Sequence, residues 1–200
     1  MSSDEQTPLR ERLVDAGVEL VVAEGSGAVG LREIARRAGV SHGAPRRYFA
    51  THRELLSAVA RRGFEELAGR FAAVRGAQPR ERLARLARAY LAYAVERRGM
   101  YELMFRHDLL SSDGLAEAGP RLREATVPLF GELVRLVGEC TGDAERAPVV
   151  TAALWANLHG LAQLQGWGST GLMLGEGREE ELLAAVLTAH LGAADLGAAQ

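Results

Sequence analysis

Apolar residues recur along this chain at intervals of three and four positions and hardly anywhere alternate with polar ones, the spacing of helix faces rather than of half-buried strands. Leu9, Leu13, Ala16 and Leu20 mark a first helix ending near Gly25. Leu31, Ile34, Ala35 and Ala38 mark a second, from which Arg32, Glu33, Arg36 and Arg37 face away. Gly39 follows the last stripe residue, where a helix end favours positive φ, and Val40 is placed to fill the gap to the next element. Ser41 offers a side-chain oxygen to the start of a short third helix, dense in Arg and aromatics. With Ser41 as N-cap, Pro45 sits fourth in that helix, where its ring and missing N–H disturb the first turn. Ala44, preceding a proline, is biased away from helical angles, so the regular part is expected to begin at Pro45. Thr51-His52-Arg53-Glu54 then has the capping-box pattern for a long fourth helix along Leu56, Val59, Leu67 and Phe71.

After a break at Gly76 to Pro79, Leu83, Leu86, Ala87, Tyr90, Leu91 and Ala94 make a fifth helix. A short element follows around Tyr101 to Phe105, then a polar loop from Ser111 to Gly119. Pro120 opens a helix that runs to about Cys140 and is expected to kink near Pro128. Pro148 to Gln165 is apolar on nearly every side, which predicts burial all round with one face needing a partner. Gly166 to Gly177 reads as a Gly-rich hairpin. The last helix, about Glu179 to Leu191, has acids in its first turn and a stripe at Leu183, Val186, Leu187 and His190. The pattern predicts an all-α fold of about nine helices, with a three-helix N-terminal domain over residues 1–56 and a helical C-terminal domain over 57–200.

Charge changes the picture in one place. Between Arg32 and Arg53 stand six arginines and one acid, Glu33, in a chain of formal net charge −2. A helix, a sharp turn and a cationic second helix make the layout of a helix-turn-helix reader of DNA. The cations release counterions from phosphate, and side chains of the second helix reach base edges in the major groove. The length and a hydrophobic fraction of 48% suit a globular protein with a sizeable core. All 24 basic residues are Arg, a bias that matches a GC-rich coding sequence. The single Cys140 allows no disulfide within the chain, and no signal peptide or membrane-spanning run is visible, so a cytoplasmic location is expected.

Enzymatic readings fare poorly. Gly25-Ser26-Gly27-Ala28-Val29-Gly30 satisfies the dinucleotide-binding pattern of an oxidoreductase, but the preceding run, Val18 to Ala23, continues the helical stripe from Leu9, and no acid-tipped second strand follows. The chain has no Lys for a phosphate loop and lacks H-E-x-x-H. Cys140, His107 and His159 have no metal-ligand spacing, so neither a metal nor a cofactor is expected. The competing non-enzymatic reading is a helical protein-interaction module without DNA affinity.

Ala16, Gly25, Ile34-Ala35, Ala38-Gly39-Val40-Ser41, Gly43, Tyr48-Phe49 and Leu55-Leu56 resemble the DNA-binding domain of TetR-family transcriptional regulators. Trp155 with His159-Gly160 resembles the subgroup carrying a Trp-His-Gly signature in its ligand-binding domain. The chain departs from the family pattern at Arg46, where a Tyr is usual, at Tyr48, where a His is usual, and at His52, where a Lys is usual. The resemblance implies a homodimeric repressor, released from a palindromic double-stranded operator by a small, largely apolar effector. It places DNA contacts at Arg32, Arg36, Ser41, His42, Gly43, Ala44, Arg46, Arg47, Tyr48 and His52. Trp155 and His159, four apart on one helix face, join Tyr101, Met104 and Phe105 as candidate effector contacts. The last two helices of each subunit are expected to form a four-helix dimer interface through Leu158, Gly160, Leu161, Leu183, Val186 and Leu187.

Overall fold

Helix boundaries fall where the local chemistry supplies a stop or a cap. The structure, a computed structural model, describes residues 8–27, 29–76, 78–106 and 122–193, with side chains omitted at 122–125. His107, the Ser111 to Gly119 loop and Pro120 lie outside the described residues. Among those described there are nine α-helices, one 3-10 turn and no strand. The run from Val18 to Ala23 is helical, which removes the strand that the dinucleotide-binding pattern required. Contacts divide the chain into two compact units, residues 1–67 with 97–126, and residues 68–96 with 127–200.

In the first unit α1 (Leu9–Glu24) buries Leu13, Val14, Ala16, Leu20 and Val21, while α2 (Leu31–Arg37) buries Ile34 and Ala35. The end of α2 is a Schellman closure: Gly39, at φ +68°, donates its N–H to Arg36 O (3.1 Å), and Val40 donates to Ala35 O (3.0 Å). A side chain with a Cβ would be strained at that φ, which is the physical reason for glycine here. Arg12 Nη2 donates to Ala38 O (2.8 Å), adding a cation to the carbonyl end of α2.

The expected third helix is instead a single 3-10 turn, Pro45–Arg47, whose N-cap is Ala44 and not Ser41. Ser41 contributes its carbonyl, which accepts from Ala44 N (2.9 Å), and the turn has no side-chain cap. Ala44 adopts φ −61° and ψ −41°, helical angles that the following proline disfavours. Pro45 cannot donate a backbone hydrogen bond, and Thr51 starts a new helix six residues later, so no room remains for a regular α-helix.

At that new start, α3 (His52–Ala73), Glu54 N donates to Thr51 Oγ1 (3.1 Å) and the Glu54 carboxylate accepts from Ala50 N (2.8 Å). The reciprocal cap forms as its sequence indicates, with the carboxylate one residue earlier than the usual pattern. Thr51→Ala is expected to lower unfolding stability by about 1 kcal/mol, read from the midpoint of a urea transition; an unshifted midpoint would mean that this hydroxyl contributes nothing. Up to Leu67, α3 buries Leu55, Leu56, Val59, Phe64 and Leu67, and α5 (Arg98–Met104) completes this core with Met100, Tyr101, Leu103 and Met104.

The second unit is built on α4 (Pro79–Glu96), α6 (Leu122–Thr141) from residue 127 onward, α7 (Ala147–Gly166) and α9 (Glu179–Leu191), and α4 and α9 each pack against α7. The α4 stripe is buried as its periodicity predicts, with Tyr93 fully enclosed and the Arg70 guanidinium 4.9 Å above its ring. Pro128 lies inside α6, which runs through it as one helix. The stretch read as a Gly-rich hairpin holds a six-residue helix, α8 (Ser169–Leu174), bounded by Gly168 and Gly175. Arg88 grips the Glu180 carboxylate with Nε and Nη2 at 2.8–2.9 Å, tying α4 to the start of α9. Arg80 closes the other end of α9 by donating to the carbonyls of Leu191 (3.3 Å) and Gly192 (2.7 Å).

α7 departs from expectation. It buries the arc Ala147, Thr151, Leu154, Leu158, Leu161 and Ala162, but exposes Val149, Ala152, Ala153, Ala156 and Gly160. Apolarity on every side therefore does not mean enclosure within one chain.

Candidate nucleic-acid interface and C-terminal site

The 3-10 turn is held from below and presents its cations outward. Ala44, Pro45 and Phe49 are buried, and the Arg10 guanidinium lies 5.0 Å from the Phe49 ring centroid. Tyr48 N and Phe49 N both donate to Pro45 O, at 3.0 and 2.9 Å, so the backbone after the proline is locally satisfied. With positions 44, 45 and 49 turned in, Arg46, Arg47 and Tyr48 turn out, and Ser41, His42 and Gly43 are exposed beside them.

The arginines of this segment differ in what they already hold. Arg36 binds both Glu33 carboxylate oxygens, and the guanidinium holds that carboxyl below its usual range. Arg37 reaches back to Glu19 (3.1 Å) and Glu24 (3.5 Å) of α1. Arg32, Arg46, Arg47 and Arg53 have no carboxylate within ion-pair distance among the described residues. Four cations thus remain available on the segment that carries the turn. Arg53, at the start of α3, is the one of these that the resemblance did not mark for DNA.

His52 is only half exposed, and its Nε2 lies 2.6 Å from Val29 O, so the ring ties the start of α3 to the connection before α2. Ala44, also among the candidate DNA contacts, points its methyl inward.

The five candidate effector residues fall into two groups, one in each unit. In the first, Tyr101 and Met104 are buried and Phe105 is half-buried, with edge-on contacts from Phe105 to Tyr101 (5.1 Å) and Phe64 (5.7 Å). Gly63 leaves room for two thioethers: a Cβ there would come within 2.6 Å of Met104 Sδ and 2.7 Å of Met100 Cγ. Met100, one helical turn before Met104, belongs to the same cluster, and only that spacing marks it in the sequence.

In the second group the rings of Trp155 and His159 lie 5.3 Å apart, tilted by 37°, on one side of α7. His159 Nδ1 lies 2.9 Å from Tyr90 Oη of α4; the phenol donates when the imidazole is neutral and carries its proton on Nε2. The sequence marks Tyr90 only as a stripe residue, since its partner lies on another helix. Trp155 is 37% exposed, so the pair sits at the edge of the α7 core.

Of the residues expected at a dimer interface, Leu158, Leu161, Leu183 and Leu187 are buried within the chain, Val186 is half-buried and Gly160 is exposed. The open face beside them consists of small side chains: Val149, Ala152, Ala153, Ala156 and Gly160 on α7, and Ala184, Ala185, Thr188 and Ala189 on α9. Asn157 Nδ2 and His190 Nε2, 2.7 Å apart, link the two helices on their exposed side. Cys140 is half-buried, and burial pushes its thiol pKa up, away from thiolate reactivity.

Residues 13–59 match the family model of bacterial regulatory proteins of the tetR family, and residues 83–190 that of tetracyclin repressor-like C-terminal domains. A solved protein of unknown function from Rhodococcus sp. RHA1 is similar with a TM-score of 0.74 at 26% identity, covering 96% of this chain and 97% of its own. The multidrug binding protein EbrR complexed with ethidium gives 0.60 at 24% identity, over 92% and 99% of the two chains. BioQ with its natural double-stranded DNA operator gives 0.62 at 18% identity, over 90% and 98%. No curated protein matches the sequence.

Proposed function

The chain belongs to the TetR family of bacterial regulatory proteins, and on that premise we propose that it is a homodimeric repressor, released from a palindromic operator by a small, largely apolar effector. Its helix-turn-helix fold is that of DNA-binding transcriptional regulators. The observation that carries the reading is the outward row Arg46, Arg47 and Tyr48 on a turn anchored by Pro45 and Phe49, with both arginines free of described carboxylates. An Arg so presented makes two hydrogen bonds to a guanine edge or one ion pair to phosphate. Arg32 and Arg53 extend the cationic surface, whereas Arg36 has to share its charge with Glu33.

Residues 1–56 supply DNA contact in this reading, and 57–200 supply effector binding and self-association. BioQ, of similar fold, is known with its operator DNA, and EbrR with ethidium, which supports the two roles assigned here. The small-residue faces of α7 and α9 allow close helix crossing between two copies, so that two turns enter successive major grooves of a two-fold site. Tyr101, Met104, Phe105, Trp155 and His159 supply the aromatic, adaptable and polar surfaces that effector recognition needs. Release requires the effector to bind the DNA-incompetent spacing more tightly, because equal affinity shifts nothing.

Selection of bound duplexes from a random pool tests the DNA reading. An enriched palindrome whose binding weakens steeply with salt is expected. A chain that retains no duplex at low salt would instead favour the protein-interaction module.

A further inference from the structure

Among the described residues of the second unit, a run of large apolar side chains around α8 is exposed. Trp167 is 65% exposed, Leu172 89%, Met173 62% and Leu174 41%, all within eight consecutive residues around α8. Isolated apolar residues at a surface are ordinary; a run of large ones, two of them on successive helical positions with almost no cover, marks a docking surface. The segment is also held in place. Thr170 is buried at 8% exposure, α8 packs against α7, and the chain turns through Gly168 and Gly175 at positive φ on either side.

We propose that residues 167–174 form a clasp that docks onto a second copy of this chain, extending the α7–α9 face rather than serving a separate partner. The proposal rests on the homodimer reading given above.

Two observations select this occupant. The first is charge. No ionisable residue lies between positions 166 and 175, and the segment that follows carries Glu176, Glu179, Glu180 and Glu181 against Arg178, with Arg88 of α4 bound to Glu180, which leaves the flank net negative. Such a flank repels phosphate, whether of nucleic acid or of an anionic lipid surface, and leaves an uncharged protein face as the fitting partner. The second is area. A stable dimer buries about 800 Å² per partner and takes most of its affinity from a few large anchors. The open faces of α7 and α9 carry mostly Ala, Gly and Thr with a single Val, which bring backbones close but contribute little surface each, and their one large apolar side chain is Trp155, 37% exposed at the edge of α7. A single Trp buries about 150–250 Å². In chain order the clasp lies between the end of α7 at Gly166 and the start of α9 at Glu179, the two helices whose open faces the homodimer reading pairs.

The test uses the full chain in analytical ultracentrifugation. Leu172→Ser with Met173→Ser is expected to raise the dimer dissociation constant about tenfold, with an unchanged far-UV circular dichroism spectrum because both side chains are exposed in the monomer. A rise of less than threefold in a chain that still dimerises overturns the clasp and leaves the dimer reading standing. A wild-type chain that stays monomeric at every concentration overturns both. In a second measurement, Cys140→Ser with Leu172→Cys carries a benzophenone label and is mixed with an affinity-tagged copy. Photolysis is expected to join the label to the tagged copy, and adducts confined to the labelled chain itself would reject the clasp independently of any change in affinity.

Discussion

Removing the Arg46 and Arg47 guanidinium groups together is expected to weaken operator binding about a hundredfold while leaving self-association unchanged. Each good guanine contact contributes about 1–3 kcal/mol of discrimination, so two contacts, even partly realised, reach that range. The side chains are exposed and their neighbours Pro45 and Phe49 hold the turn, so Arg46→Ala with Arg47→Ala removes charge and donors without opening the core. Fluorescence anisotropy at several salt concentrations separates the two roles. If both arginines sit on phosphates, the slope of log K against log salt falls by about 0.9 for each; if they read bases, the slope stays and the preference between half-site sequences relaxes. Affinity within threefold of the parent would take the outward face of this turn out of the interface.

Ala156→Arg is expected to raise the dimer dissociation constant by at least a hundredfold. Ala156 lies at the centre of the exposed arc of α7, four residues from both Ala152 and Gly160, where two copies related by a two-fold axis would bring their helices closest. An unpaired charge forced into a closed apolar contact costs about 3–5 kcal/mol. Because the position is exposed within the chain, the variant monomer retains its fold, and sedimentation reads association alone. Operator affinity is expected to drop with it, since one turn per duplex replaces two. A variant that sediments like the parent would place self-association on another surface.

These expectations draw on features legible to different degrees in the sequence. The stripes at Leu13, Ala16 and Leu20, at Ile34 and Ala35, and at Leu83 through Ala94 are buried as their spacing indicates, because a 3.6-residue repeat already states which side of a helix faces a core. Gly39 and Thr51 likewise act through bonds to residues within four positions of themselves. The recognition element was harder to read. Its cations were evident, but Pro45 and the cap at Thr51 leave space for one 3-10 turn, and Ser41 bonds through its carbonyl rather than its hydroxyl. For α7, uniform apolarity hid the distinction between the arc that packs on α4 and α9 and the arc that stays open.

The sequence by itself determined the all-helical class, the positions of the main turns and the concentration of arginine between residues 32 and 53, since each is written in spacings shorter than two helical turns. Only the tertiary structure decided what the polar groups do. It pairs Arg37 with Glu19 and leaves Arg46 and Arg47 without a described partner, turns His52 onto Val29 O 23 residues away, and brings Tyr90 to His159 across 69 residues. Such partners meet because helices pack at particular angles and depths, and side-chain periodicity along one helix carries no record of which residue on another will face it.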